Sequence, residues 1–421
     1  MSDRINRSYE LAREQYAELG IDTEAVMKKL ESIPLSIHCW QGDDVSGFES
    51  PDSKLSGGGI QVTGNYPGKA GNVDQLRQDL EKAYSMIPGN HRLNLHAIYG
   101  EFDGKKVDRD EIGPEHFKGW MEWSTQKNIP LDFNGSFFSH PKAADGFTLS
   151  SKNESIRSFW IEHTKRVRKI SAEMGKNQGN PCINNIWVAD GFKDIPADRM
   201  GVRALLKDSL DEIFTEKYSK EHVKDALETK LFGIGSEACV IGSHEFYMGY
   251  TLKNGHMPCF DLGHFHPTEL IADKISSTLL FTDELLLHVS RPVRWDSDHV
   301  VVLNDDVLFL AQEIIRSGRL ENIHIGLDFF DATLNRLGAW TTGARSTQKA
   351  LLMALLEPTD MIIDFEEKEN YYGRMAMFER LKSMPFGSVW DYFCKSRNVP
   401  VEAEIYSVAR DYEKKIIPER S

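Results

Sequence analysis

One alternation limits how this chain can fold, and it repeats eight times. Compact β-type runs lie at 32–40 (SIPLSIHCW), 92–100 (RLNLHAIYG), 130–138 (PLDFNGSFF) and 180–190 (NPCINNIWVAD). Four more lie at 228–235 (ETKLFGIG), 257–266 (MPCFDLGHFH), 284–291 (ELLLHVSR) and 322–330 (NIHIGLDFF). Most of the gaps carry helical patterns, among them EHFKGWMEWSTQKN, RALLKDSLDEIFTEKY and DVLFLAQEIIRSG. Strands that alternate with helices pair in parallel, and eight such units close into an α/β fold, the (β/α)8 TIM barrel. The stretch 334–358 supplies the closing helix, so the barrel is expected over 32–358.

Two segments are surplus to that barrel. Residues 1–31 space Tyr9, Leu11, Ala12, Tyr16, Leu19, Val26 and Leu30 at helical intervals, which predicts two short N-terminal helices. Residues 359–421 are helical in pattern only, and a barrel needs roughly 250 residues. The apolar stripes of this C-terminal extension must bury somewhere, and a neighbouring subunit is the natural place. The Gly-rich stretch 41–72 is too long for a simple connection and reads as a lid, a subunit contact or a flexible loop. Its Gly57-Gly58-Gly59 is followed by no GK[ST], so it is not a phosphate loop.

Charge and cysteine use narrow the class. The formal net charge of -14 disfavours nucleic acid, which needs a basic surface. No apolar run reaches about eighteen residues, and the N-terminus lacks the apolar core of a signal peptide. A cytoplasmic enzyme is the expectation. Cys39, Cys182, Cys239, Cys259 and Cys394 are odd in number and contain no CxxC, which predicts reduced thiols and no zinc ribbon.

The chemistry concentrates between Cys259 and His299, where Asp261, His264, His266, His288, Asp296 and Asp298 crowd together. Imidazole and carboxylate in this density hold a divalent cation such as Mn²⁺, Zn²⁺ or Mg²⁺. A barrel keeps its active site at the C-terminal ends of its strands. Glu228 at the start of the fifth run, Asp261, His288 and Asp328 fall on four consecutive runs, each directly after an apolar residue. Burying these carboxylates together demands a cation or protons. Asp296 and Asp298 are two apart, so in an extended segment both point the same way. With His264 they make a one-nitrogen, two-carboxylate site suited to Mn²⁺ or another cation of intermediate hardness. His266 is either a third imidazole ligand or a partner behind the ligands, and the second reading is preferred. Lys230 shares the face of Glu228, either as an ion pair or as a fixed charge on a substrate oxygen. His96, Asn134 and Trp187 are candidates for the pocket wall.

These motifs resemble a known family. HCWQGDDVSGFE (38–49), GNYPGKA (64–70), FSHP (138–141), ADGFKD (189–194), EFYMGY (245–250), GHFHPTE (263–269), HVSRPVRWDSDHVV (288–301) and HIGLDFFDA (324–332) are similar to L-rhamnose isomerase of the enterobacterial type, in the xylose isomerase-like superfamily. The resemblance runs from about 8 to about 415. It implies an intramolecular oxidoreductase of rhamnose catabolism, a homotetramer, and interconversion of L-rhamnose with L-rhamnulose. It also implies that Glu228, Asp261, His288 and Asp328 hold a structural Zn²⁺ or Mn²⁺, and that His264, Asp296 and Asp298 hold a catalytic Mn²⁺. Lys230, His96 and Trp187 would contact the sugar. The expected chemistry is a metal-mediated 1,2-hydride shift, with Asp328 and Lys230 as catalytic residues. Ala189 stands where the family usually has Pro, as does Gly135, and both touch only the pocket wall. Competing expectations are an isomerase or 3-epimerase of another sugar, or a two-metal phosphoester hydrolase.

Overall fold

The computed structural model describes residues 2–41, 47–49, 64, 66–230, 236–266, 268–293 and 298–420. Eight strands close into a parallel barrel in chain order. They are β1 (Leu35–His38), β2 (His91–His96), β3 (Leu131–Asn134), β4 (Cys182–Ile186), β5 (Val223–Glu228), β6 (Met257–Asp261), β7 (Leu285–Val289) and β8 (Ile323–Leu327). Closure is made where Leu35 of β1 pairs with Ile325 of β8. A two-residue antiparallel ribbon, Gly191–Phe192 with Cys239–Val240, lies outside the barrel.

Seven strands fall on the expected runs, and the fifth is shifted. The run at 228–235 was expected as strand, whereas β5 ends at Glu228. Lys224 and Asp225 interrupt its hydrophobic pattern, and both are paired in the fold. Asp225 takes a bidentate bond from buried Arg168 at 3.0–3.1 Å and one from Asn184 Nδ2 at 2.8 Å, while Lys224 pairs with Glu284. Residues 231–235 lie outside the described set. The shift moves Glu228 from a strand's start to its C-terminal end, the position a barrel reserves for chemistry.

Helices Ser2–Ala17 and Thr23–Glu31 form as the spacing predicts, the second capped by Asp22. Tyr9 stacks on Tyr392 at 3.8 Å between ring centroids, so the N-terminal helices pack on the C-terminal extension. Helix Arg336–Leu355 completes the barrel. Beyond it, Val389, Trp390, Phe393 and Cys394 bury within the chain's own core, whereas Tyr371, Tyr372 and Met375 stay exposed. Part of the tail's apolar surface is therefore covered at home.

The insertion after β1 is tied at both ends. Gln41 donates to buried Asp79 and accepts from Ala70 N at 2.9 Å. Asp79 also accepts from Tyr412 and Arg420, each at 2.6 Å, and Arg420 reaches Gly68 O at 3.3 Å. The proposed glycine run 57–59 lies outside the described residues. Among the described residues no helix is long and apolar enough to cross a membrane. All five cysteines are buried, and no disulfide joins them.

Candidate metal centre

The parallel register brings the inward positions of neighbouring strands level at the C-terminal mouth. Asp261 of β6 pairs with His288 of β7, and Leu327 of β8 with Val289, which sets Asp328 just beyond. His288 Nδ1 lies 3.2 Å from Glu228 Oε2, 3.1 Å from Asp328 Oδ2 and 3.8 Å from Asp261 Oδ2. The four residues each offer a ligand atom, all within 4.8 Å of one another.

This arrangement is unsatisfied as protein alone. His288 Nδ1, Asp261 Oδ2 and Asp328 Oδ1 are buried and have no hydrogen-bond partner among the described residues. Each such atom costs about 1–3 kcal/mol, and more where charge is involved. Burial, and then Asp298 beside it, pushes the Asp261 carboxyl well above the usual range. Burial also raises Asp328. Burial opposes a charge on Glu228 too, yet His288 and His264 hold its pKa below the ordinary carboxylate value. A divalent cation with three oxygen donors and one nitrogen would satisfy the orphaned atoms at once, so the donor set fits such an ion.

A second group adjoins the first. Asp261, His264 and Asp298 bring ligand atoms within 4.8 Å. A single turn, Leu262–His264, swings His264 inward, and its start is fixed by the bond from Gly263 N to Asp261 Oδ1 at 2.7 Å. Gly263 leaves room for the Asp298 carboxylate, which a Cβ there would force to shift. His264 Nδ1 lies 3.1 Å from Thr229 O, a bond that favours the tautomer with its lone pair on Nε2. Burial opposes charge on His264, but Asp261 beside it raises the pKa to about 10. Asp298 is anchored by its own carbonyl, which accepts from Phe330 N at 2.7 Å. Ser290 Oγ bridges Asp261 Oδ1 and Asp298 Oδ1, both at 3.2 Å. Asp296 lies outside the described residues. Asp261 therefore stands within reach of both groups, where the sequence reading gave it to one.

The wall of the mouth is aromatic on one side. Trp187 stacks near His264 at 6.0 Å, and Lys230 Nζ sits 5.0 Å from the Trp187 ring centroid. His96 bonds Ser136 Oγ at 3.2 Å and meets Trp40 edge-on at 4.9 Å. Burial, with His288 nearby, lowers the pKa of His96 to about 3. Asn134 is buried but bonded to Asn94. His266 does not join the ligands: it is exposed and bonds Thr268 Oγ1 at 2.8 Å.

Four contributors escaped sequence reasoning. Asn185 donates to Glu228, Thr229 orients His264 through a backbone carbonyl, Ser290 links two carboxylates, and Trp40 backs His96. Only Asn185 left a signal, as the inward half of an Asn pair inside β4.

Comparison with known proteins gives the same direction. The family model described as "L-rhamnose isomerase (RhaA)" matches residues 3–420. The chain is 54% identical over 417 residues to the L-rhamnose isomerase of Rhodopirellula baltica, covering 99% of this chain and 97% of that one. It is 53% identical over 418 residues to that of Bacteroides thetaiotaomicron, covering 99% of each. It is 52% identical over 421 residues to that of Salmonella typhi, covering all of both. With this likeness end to end, on a barrel whose mouth gathers imidazole and carboxylate groups that could hold a metal ion, the chain belongs to the L-rhamnose isomerase family.

Proposed function

We propose that this isomerase interconverts L-rhamnose and L-rhamnulose and that it depends on divalent metal. The observation that carries the reading is the convergence of Glu228, Asp261, His264, His288, Asp298 and Asp328 at one barrel mouth. Glu228, Asp261, His288 and Asp328 would hold a structural Zn²⁺ or Mn²⁺. His264, Asp298 and Asp296 would hold a catalytic Mn²⁺, a choice supported by the mixed nitrogen and carboxylate donors. When bound, such ions polarise a carbonyl and lower the pKa of a neighbouring hydroxyl.

The chain's own groups do the rest. Lys230 holds a sugar oxygen as negative charge develops on it. Trp187 offers an apolar face to the sugar, and His96, kept neutral by burial, presents a hydrogen-bonding edge. Asp328 moves a proton between O2 and O1. The hydrogen on C2 passes to C1 with its electron pair, so C1 is reduced as C2 is oxidised. Support for a hydride comes from the carboxylates of the described residues: Glu228, Asp261, Asp298 and Asp328 all fall within the two ligand groups, so none of these four is spare to act as a carbon base.

The same proposal divides the chain into an N-terminal helical segment (1–31), the catalytic barrel (32–358) and a C-terminal extension (359–421). The exposed Tyr371, Tyr372 and Met375 would meet a neighbouring subunit in a cytoplasmic homotetramer. The deciding experiment adds Mn²⁺ to chelator-stripped protein with L-rhamnose and a panel of deoxy and non-deoxy aldoses. Ketose should form fastest from L-rhamnose, and deuterium placed at C2 should appear at C1. No ketose would overturn the function; washout of the label into solvent would overturn the hydride route.

A further inference from the structure

The barrel interior beneath the metal centre is not packed. A cavity of about 490 Å³ enters from the N-terminal face, opposite the mouth, and reaches up to His288 and Asn185. Barrels of this kind normally fill that space with layers of branched apolar side chains. Here the deep wall is made by Ser36, Asn94, Asn185, Leu286, His288 and Gly326. Small and polar residues stand where Val, Ile or Leu would close the core, and at Gly326 a Cβ would come within 3.1 Å of the His288 ring.

The chemistry of the walls selects the occupant. Asn185 is buried, its Nδ2 donates to Glu228, and its Oδ1 has no partner among the described residues. Turning the amide over would set oxygen against a carboxylate, so the atom without a partner is the acceptor of a residue that lines the cavity. The carboxylate contacts of His288 described above are made through Nδ1, and the ring lines the top of the cavity. A metal-binding imidazole almost always has a hydrogen-bond partner on its other nitrogen. The Cys259 thiol beside the ring is only a weak acceptor. Charge around the walls is balanced: Arg92 pairs with Asp132 at 2.7 Å, Lys224 pairs with Glu284 just outside the lining, and Lys29 and Glu321 add one charge of each sign. Neither an anion nor a cation is favoured, and an apolar guest would strand the polar atoms. The volume holds roughly fifteen waters at about 30 Å³ each.

We infer that this rear cavity is a water-binding chamber whose ordered waters hydrogen-bond Asn185 Oδ1 and the outer edge of His288, and so orient two groups that support the Glu228 cluster from below. Water reaches these groups from the face opposite the sugar-binding mouth. Asn185 and His288 act here as positioning residues through their water partners, and the part of the inference that concerns metal affinity rests on the proposed metal reading.

The test begins with a high-resolution crystal structure of the metal-loaded protein, with and without xenon pressure. Ordered waters within hydrogen-bonding distance of Asn185 Oδ1 and of the His288 ring are expected. A dry chamber, or one that takes xenon, overturns the inference. Leu286→Phe and Ser36→Val then narrow the chamber from two sides. In folded variants, chelator competition should show Mn²⁺ held about 10- to 100-fold more weakly at one site. Unchanged affinity in a folded variant whose chamber is filled overturns the positioning role. Should Leu286→Phe fail to fold, Ser36→Val and the wild-type waters still decide. Ketose formation is assayed separately, so waters in the chamber of a protein inactive on L-rhamnose would sink the function and leave the chamber standing.

Discussion

Replacing Asp261 with Asn should move thermal stability in opposite directions with and without metal. In stripped protein Asp261 shares a buried space with Glu228, Asp298 and Asp328, and burial with Asp298 beside it already drives its carboxyl toward the protonated form. At an effective dielectric of 20, a carboxylate neighbour 4.8 Å away costs about 3.5 kcal/mol, part of which His288 and His264 offset. Asn keeps the shape and is neutral without having to take up a proton, so the melting temperature in EDTA should rise by a few degrees. In Mn²⁺ the sign reverses, because a ligand is lost. A cation at a thousand times its Kd stabilises the native state by about 4 kcal/mol. For 421 residues unfolding as one unit, with about 2.1 cal/mol/K per residue, this is about 5 °C of melting temperature. Differential scanning fluorimetry of both proteins in EDTA and in saturating Mn²⁺ gives the four values needed. A variant that melts lower in EDTA, or that keeps the full Mn²⁺ increment, would refute the reasoning.

Three further outcomes are expected. His264→Ala should fold but turn over sugar at least a hundredfold more slowly at limiting Mn²⁺, and so should Asp296→Asn, which rests on the sequence alone; near-normal rates would misplace the catalytic site. Gly263→Ala forces the Asp298 carboxylate aside. A displacement near 1 Å can cost about a hundredfold in rate, and steady-state kinetics on folded variant should show it. Glu284 is held down to about 2 from 4.5, first by the His324 ring 3.7 Å away and despite partial burial, with Lys224 assisting. A depressed carboxyl adds stability above its unfolded pKa and loses it as pH falls. The stability lead of wild type over Glu284→Gln should hold above about pH 5 and shrink from 4.5 towards 2, as read by urea unfolding across that range.

The barrel was legible because period and punctuation agree along most of the chain: seven strands carry apolar runs bounded by turns. β5 was misplaced because two of its residues, Lys224 and Asp225, gain their partners from other strands and helices, and nothing local announces Arg168 or Glu284. The meeting of these side chains was legible because carboxylates that follow apolar residues at the ends of consecutive strands converge at a barrel's mouth. Their partition was not. Asp261 touches both groups only because a single turn at Leu262–His264 folds the chain back over it. The supporting contacts were least visible of all, since Thr229 acts through its backbone and Ser290 through a position that resembles any other serine. His266 shows the converse error: proximity in sequence to ligands placed it on the wrong side of the turn.

The knot at Asp79 separates two kinds of change in the insertion that follows β1. Gln41 and Ala70 are bound to each other, and both are moored through Asp79 to Tyr412 and Arg420. With its ends already closed, the chain between them can lengthen at small cost, about 0.6 kcal/mol for each doubling. Relatives could therefore vary the length of the stretch between Glu49 and Gly64, whereas Phe48, Glu49 and Tyr66 are held to the barrel by Ile98, Arg109 and Ala332. The mooring cannot drift in the same way: a change at Asp79 asks for an answering change at the far end of the chain, so the insertion and the last helix are expected to evolve as one unit.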